Sequence, residues 1–109
     1  MPIRIGFGKF RQSLLQEELD RIVELLPQFG VTRAVLLNSL EHVEPDASLR
    51  LVLVKDDDRP FVRRLDFFYS HVSPRAGVEF FSYTPDEFDD ILAGDSVLSR
   101  IIQRGQVIL

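Results

Sequence analysis

The side chains best suited to chemistry lie together in the stretch Gly30–Lys55. Asn38, Ser39, Glu41, His42, Glu44, Pro45, Asp46 and Ser48 form a polar connection between two apolar segments, Ala34–Leu37 and Leu49–Val54. A site is expected where the first segment ends and the second begins. Three other groups compete with it. Gly6-Phe7-Gly8-Lys9 has the glycines and lysine of a phosphate loop without the P-loop spacing or its flanking strand. A flexible lead-in is expected there. Asp56, Asp57 and Asp58 are adjacent carboxylates, which in a turn point in different directions, whereas calcium loops space their acids and include a glycine. A solvated turn that also caps the next helix is expected. His42 and His71 are the only histidines and lack the i, i+4 spacing of a paired metal site. Both are expected on the surface, and no Ser-His-Asp set emerges from the spacing.

The periodicity of the chain predicts the elements that position these residues. Leu14, Leu15, Leu19, Ile22, Val23, Leu25 and Leu26 recur at helical spacing, with Glu17, Glu18, Asp20, Arg21 and Glu24 on the other faces. Ser13 and Gln16 have capping-box spacing, so the helix is expected to begin at Ser13, after a lead-in over residues 1–12. Pro27 and Gly30 end it. Val31–Leu37 reads as a short buried strand, and Leu49–Val54 as a second one, apolar on both faces except at its start. Pro60 suits the first turn of a second helix. Its expected buried face is Phe61, Val62, Leu65, Phe68, Tyr69 and Val72, with Arg59, Arg63, Arg64 and Asp66 elsewhere. Val78–Tyr83 is a third strand. Thr84, Pro85 and Glu87 start a third helix that stops at Gly94, and Asp95-Ser96 start a fourth that stops at Gly105. Gln106–Leu109 is left as a short extended tail. The order predicts an α/β (α+β) domain over residues 13–109, with a small mixed sheet of about three strands packed against helices.

Composition narrows the function classes. Seventeen acids against thirteen Lys+Arg give a net charge of −4, which argues against broad nucleic-acid binding through a phosphate-neutralising surface. With no cysteine there is no disulfide framework, thiolate nucleophile or cysteine-ligated zinc. No apolar run approaches a membrane span, and Met-Pro-Ile-Arg-Ile-Gly lacks the apolar stretch of a secretory signal. A cytoplasmic location away from membranes is the expectation.

The order and spacing resemble the minimal nucleotidyltransferase domains of the DNA polymerase beta superfamily. Val31 to Ser39 matches that family's first strand and turn, with Asn38 where the family has Gly and Ser39 on its Ser. Pro45 to Val54 matches the loop and second strand, and the family's two acids fall on Ser48 and Arg50. Glu79, in Val78-Glu79-Phe80, falls on the third acid, and Ile102 to Leu109 resembles the family's ending. The resemblance runs from Leu14 to the last residue. It implies a nucleotidyltransferase-like fold in which carboxylates two positions apart on a strand hold a divalent metal against nucleotide phosphates. Ser48 is a weak neutral ligand, and Arg50 places a permanent positive charge where the cation belongs. Asn38 lacks the backbone freedom of Gly. The resemblance therefore implies a catalytically inactive domain acting in protein interaction or regulation, with Asn38 and Ser39 as remnants of nucleotide binding. It implies a HEPN-type helical protein as partner, in the manner of a toxin–antitoxin pair, and an ion pair between Arg50 and Glu79. Two alternatives stay open. If a strand begins early enough for Asp46, Ser48 and Arg50 to share parity, Asp46 and Glu79 are the acids of an active magnesium-dependent nucleotidyltransferase. The sheet edge or the Val107-Ile108-Leu109 tail is a route to self-association.

Overall fold

The computed structural model describes residues 2–41 and 46–109, with side chains described for 9–41 and 46–109. Its centre is β2 (Leu49–Lys55), which is buried on both faces: Leu49, Leu51 and Leu53 point one way, Val52 and Val54 the other. Around it lie β1 (Val31–Leu36), β3 (Val78–Tyr83) and β4 (Gln106–Val107), in the order β3-β2-β1-β4. β1 runs antiparallel to β2 and to β4, while β3 runs parallel to β2. A parallel neighbour requires a crossover, and the helix α2 (Phe61–Val72) makes it between β2 and β3. The result is a mixed α+β fold with four strands among the described residues rather than three. The fourth arises because the tail after Gly105 turns back along β1, where Ile108 N–H donates to Ala34 C=O (3.0 Å) and Ala34 N–H to Leu109 C=O (3.2 Å).

Helices cover both faces of the sheet. On one face, Leu15, Leu19 and Ile22 of α1 (Pro2–Leu25) and Phe68 and Val72 of α2 pack on Leu49, Leu51, Leu53 and Phe80. On the other, Phe88 of α3 (Pro85–Ala93) and Ile102 of α4 (Val97–Arg104) pack on Val35, Val52 and Val54. Each fully buried aliphatic side chain contributes roughly 1.5–3 kcal/mol, so the double-sided burial of β2 is the largest local source of stability. The predicted start of α3 is present: Thr84 Oγ1 accepts the Glu87 N–H and Glu87 reaches back to the Thr84 N–H. Ser96 likewise caps α4 by accepting the Ser99 N–H.

Three expectations are corrected. The first helix begins at Pro2 rather than Ser13, so Gly6-Phe7-Gly8-Lys9 lies in helix rather than in a flexible lead-in. In a continuing helix the N–H groups after Ser13 already have carbonyl partners. The Ser13 cap has nothing to satisfy there, and Gln16 donates instead to Asp20 Oδ1 (2.9 Å). The Asp56–Asp58 turn does not cap α2, whose N-cap position is Pro60 with no side-chain bond. Asp57 is buried instead, accepting from Arg59 N–H (3.1 Å), Nε (2.8 Å) and Nη2 (2.6 Å). On α2, Phe61, Val62 and Tyr69 are exposed, while Arg64 is buried. Arg64 donates to Arg59 C=O (2.7 Å), Glu87 Oε1 (2.6 Å) and Ser82 C=O (3.4 Å), and so ties α2 to β3 and α3. Helical spacing identifies a stripe, but it does not say which neighbour makes a polar position on that stripe worth burying. None of the helices among the described residues is long and apolar enough to cross a membrane.

Gly105 is needed for close approach. A Cβ there would stand 2.5 Å from Val35 Cγ1 and 2.8 Å from Leu36 C=O, the latter a backbone atom that cannot swing aside. Gly105→Ala is expected to destabilise the fold by about 1–3 kcal/mol through overpacking. Urea unfolding measures the loss, and faster amide exchange at Ile108 reports release of β4. An unchanged midpoint would show that β4 accommodates the methyl group.

Candidate functional site

The polar connection leaves the sheet where β1 stops and rejoins it where β2 begins. Leu37 N–H donates to Arg50 C=O (2.9 Å), the last backbone bond of the β1–β2 ladder. The Asn38 side chain then takes over. Its Nδ2 donates to Ser48 C=O (2.8 Å) and its Oδ1 accepts the Arg50 N–H (3.0 Å). A side-chain amide carries the same donor and acceptor as a peptide group, so Asn38 continues the ladder without continuing the strand. Ser39 and Asp46 lie in the exposed loop, and the only side-chain bond of Ser39 among the described residues is acceptance of the Glu41 N–H (3.1 Å). His42, Glu44 and Pro45 lie outside the described residues.

β2 begins at Leu49, so Asp46 is not on the strand and the parity that would align it with Arg50 is not formed. The preceding backbone is engaged elsewhere: Arg11 of α1 donates through Nε (3.1 Å) and Nη2 to Ala47 C=O. The structure therefore brings Asn38, Ser48, Arg50 and Glu79 to one end of the sheet and leaves Ser39 and Asp46 outside that group. Arg50 faces Glu79 across the β2–β3 pair, with Nε 3.5 Å from Oε2. Their side chains are 59% and 49% exposed, so the pair contributes little to stability. Ser48 stands opposite Gly77, where a Cβ would sit 3.3 Å from both Ser48 Cβ and Oγ. Among the described residues no group of three or more His, Asp or Glu is placed to hold a metal ion. His71 is exposed on α2, stacked on Phe67 with ring centroids 4.2 Å apart.

β3, and with it Glu79, is held in place by two residues of α1, Glu18 and Arg21, that lie off its expected apolar stripe. Glu18 of α1 is 4% exposed. Its carboxylate accepts from Arg21 Nε (2.6 Å) and Nη2 (3.1 Å), from the Arg75 N–H and from the Ala76 N–H (3.2 Å). Arg21 in turn donates to Val72 C=O (3.1 Å) and Ser73 C=O (3.3 Å), at the point where Ser73 adopts a left-handed conformation (φ 48°). The segment that joins α2 to β3 is thereby clamped to α1. A sequence signal for Glu18 exists: it lies three residues after Leu15 and four before Ile22, on the buried stripe.

The Arg21 side chain bonded to it, with help from the Arg75 and Ala76 N–H groups, holds the Glu18 carboxyl below the usual 4.5 although burial acts the other way. Arg59, bonded through its side chain and backbone, lowers Asp57 from 3.8 to about 2. Lys55, with its ammonium 3.7 Å from the Phe67 ring centroid, is pushed down by burial.

No protein-family model, curated protein or solved structure matches the chain.

Two outcomes follow from this geometry. Asn38→Ala removes two hydrogen bonds, one partly buried and one exposed, and is expected to cost about 1–2 kcal/mol. Amide exchange at Arg50 should accelerate, and unchanged protection there would mean that the Asn38 amide does not hold the loop. A carboxyl whose folded pKa is depressed adds stability above its unfolded pKa and loses it as pH falls through the folded one. The advantage of the wild type over Glu18→Gln, measured by urea unfolding, should therefore be constant at neutral pH and shrink below about 4.5. A pH-independent difference would contradict it.

Proposed function

We propose that the chain is a nucleotidyltransferase-like domain that has lost catalysis and acts by binding another protein. The observation that carries this reading is the cross-strand pairing of Arg50 with Glu79 at 3.5 Å. In the resembled family these positions hold carboxylates around a divalent cation. Here a guanidinium neutralises the remaining acid, and Ser48 offers only a neutral hydroxyl. Such a set repels a metal ion rather than coordinating it. Asn38, at the position of the family's phosphate-approaching Gly, spends both ends of its amide on the β2 backbone. With that chemistry gone, the function left to the scaffold is recognition. The partner proposed from the resemblance is a HEPN-type helical protein in a cytoplasmic toxin–antitoxin arrangement.

The reading is tested by restoring the acids. Magnesium is titrated to millimolar concentration with ATP, followed by ¹⁵N shifts, in the wild type and in the Ser48→Asp/Arg50→Asp variant. The wild type should give no metal-dependent shift at Ser48, Arg50 or Glu79, while the variant should give saturable shifts there. Metal-dependent shifts in the wild type would overturn the loss of catalysis. A folded variant without shifts would overturn descent from a metal site.

A further inference from the structure

The two edges of the sheet are finished differently. At the β3 edge, α2 side chains occupy the outward-facing backbone groups. Tyr69 Oη donates to Val78 C=O (3.0 Å) and accepts the Phe80 N–H (3.4 Å), and Arg64 donates to Ser82 C=O (3.4 Å). An incoming strand would find those positions taken. At the β4 edge the opposite holds. Ala34 bonds to Ile108 and Leu109, and Leu36 pairs with Gln106. By the alternation of an antiparallel ladder, Val107 then directs its own N–H and C=O away from β1. Among the described residues no side chain bonds to either group, and Val107 is 69% exposed.

A groove of about 600 Å³ runs beside this open edge, between β4 and α1. Leu19 and Val23 give it an apolar floor, and Gln16, Asp20 and Glu24 give it a polar, anionic wall. Neither Asp20 nor Glu24 has a cationic partner within 4.0 Å among the described residues. On the α4 side of the sheet, Val107 leaves apolar surface exposed. A strand laid along β4 would meet these two environments with alternate side chains.

We propose that the β4 edge docks an extended segment of a partner protein as a fifth strand. Its alternate residues are basic, facing Asp20 and Glu24, and apolar, facing Val107. Main-chain bonds to Val107 supply attachment, and the alternating pockets supply selectivity. A second copy of the chain is the poorer occupant. Antiparallel pairing of β4 with its own copy keeps like faces together, so that α1 meets α1 and the carboxylates of Asp20 and Glu24 face one another. The surface specifies how the interaction role proposed above is carried out and rests on that reading for its purpose. Its geometry involves none of Asn38, Ser48, Arg50 or Glu79.

The test uses two synthetic peptides, acetylated and amidated, of sequence Lys-Val-Lys-Val-Lys-Val-Lys and Glu-Val-Glu-Val-Glu-Val-Glu. Each is titrated into the ¹⁵N-labelled chain at low salt. The lysine peptide should bind about tenfold more tightly than the glutamate peptide, with shifts at Val23, Val107 and Ile108 and slowed exchange of the Val107 amide. Val107→Pro removes the outward N–H and exchanges the exposed valine for the proline ring, and should weaken binding about tenfold while leaving the fold intact. Asp20→Lys/Glu24→Lys should reverse the preference between the peptides. Absence of shifts along β4 at millimolar peptide, equal binding of both peptides, or undiminished binding by Val107→Pro would overturn the proposal. So would sedimentation showing a dimer that Val107→Pro dissociates, which assigns the edge to self-pairing. None of these outcomes depends on the magnesium titration, so either proposal can fail alone.

Discussion

Burial of β2 on both faces is the constraint from which the rest of the structure follows. A strand with leucines at 49, 51 and 53 and valines at 52 and 54 cannot present either face to water without a large hydrophobic penalty. The chain meets this by placing α1 and α2 on one side and α3 and α4 on the other. The parallel pairing of β2 with β3 needs the α2 crossover, and that same helix supplies the Tyr69 and Arg64 groups that close the β3 edge. Core formation and edge protection are thus consequences of one connection.

Where the apolar pattern of β2 ends, polar groups carry the organisation. Arg11 holds Ala47, Asn38 holds Ser48 and Arg50, and the Glu18–Arg21 pair holds the segment leading into β3. Each is a side chain bonded to backbone, which suits a region where strands have stopped and peptide groups need other partners. The Arg50–Glu79 pair sits on this frame but does not hold it together, since both groups are half in water. At this end of the sheet the fold therefore depends on the backbone bonds, with the Arg50–Glu79 charges displayed above them.

The two edges of the sheet show the same division between fold and display. Strand edges attract other strands, and proteins usually cover them. Here one edge is covered by side chains from the helix that builds it, and the other is short, follows a glycine forced by close packing on Val35, and lies beside an uncompensated acidic wall. That asymmetry separates a covered edge from an open one.

Spacing along the chain was enough to place β1 to β3, the capping box at Thr84, the restart at Ser96 and the register-independent fact that Arg50 and Glu79 lie on strands. These depend on neighbours within a few residues, where covalent geometry alone decides which side chains share a face. The start of α1, the burial of Glu18, Asp57 and Arg64, the use of the Asn38 amide as a ladder rung and the fourth strand were not legible in that way. Asp57 is buried on Arg59, two residues away, but four of the others depend on partners farther along the chain: Glu18 on residues 75 and 76, Arg64 on Glu87, Asn38 on Ser48 and Arg50, and β4 on β1. Burying a charged side chain requires a specific partner that repays its desolvation. The residues of the sequence determined the faces and the candidate groups, and only the tertiary structure decided which of those groups remain free to meet a ligand.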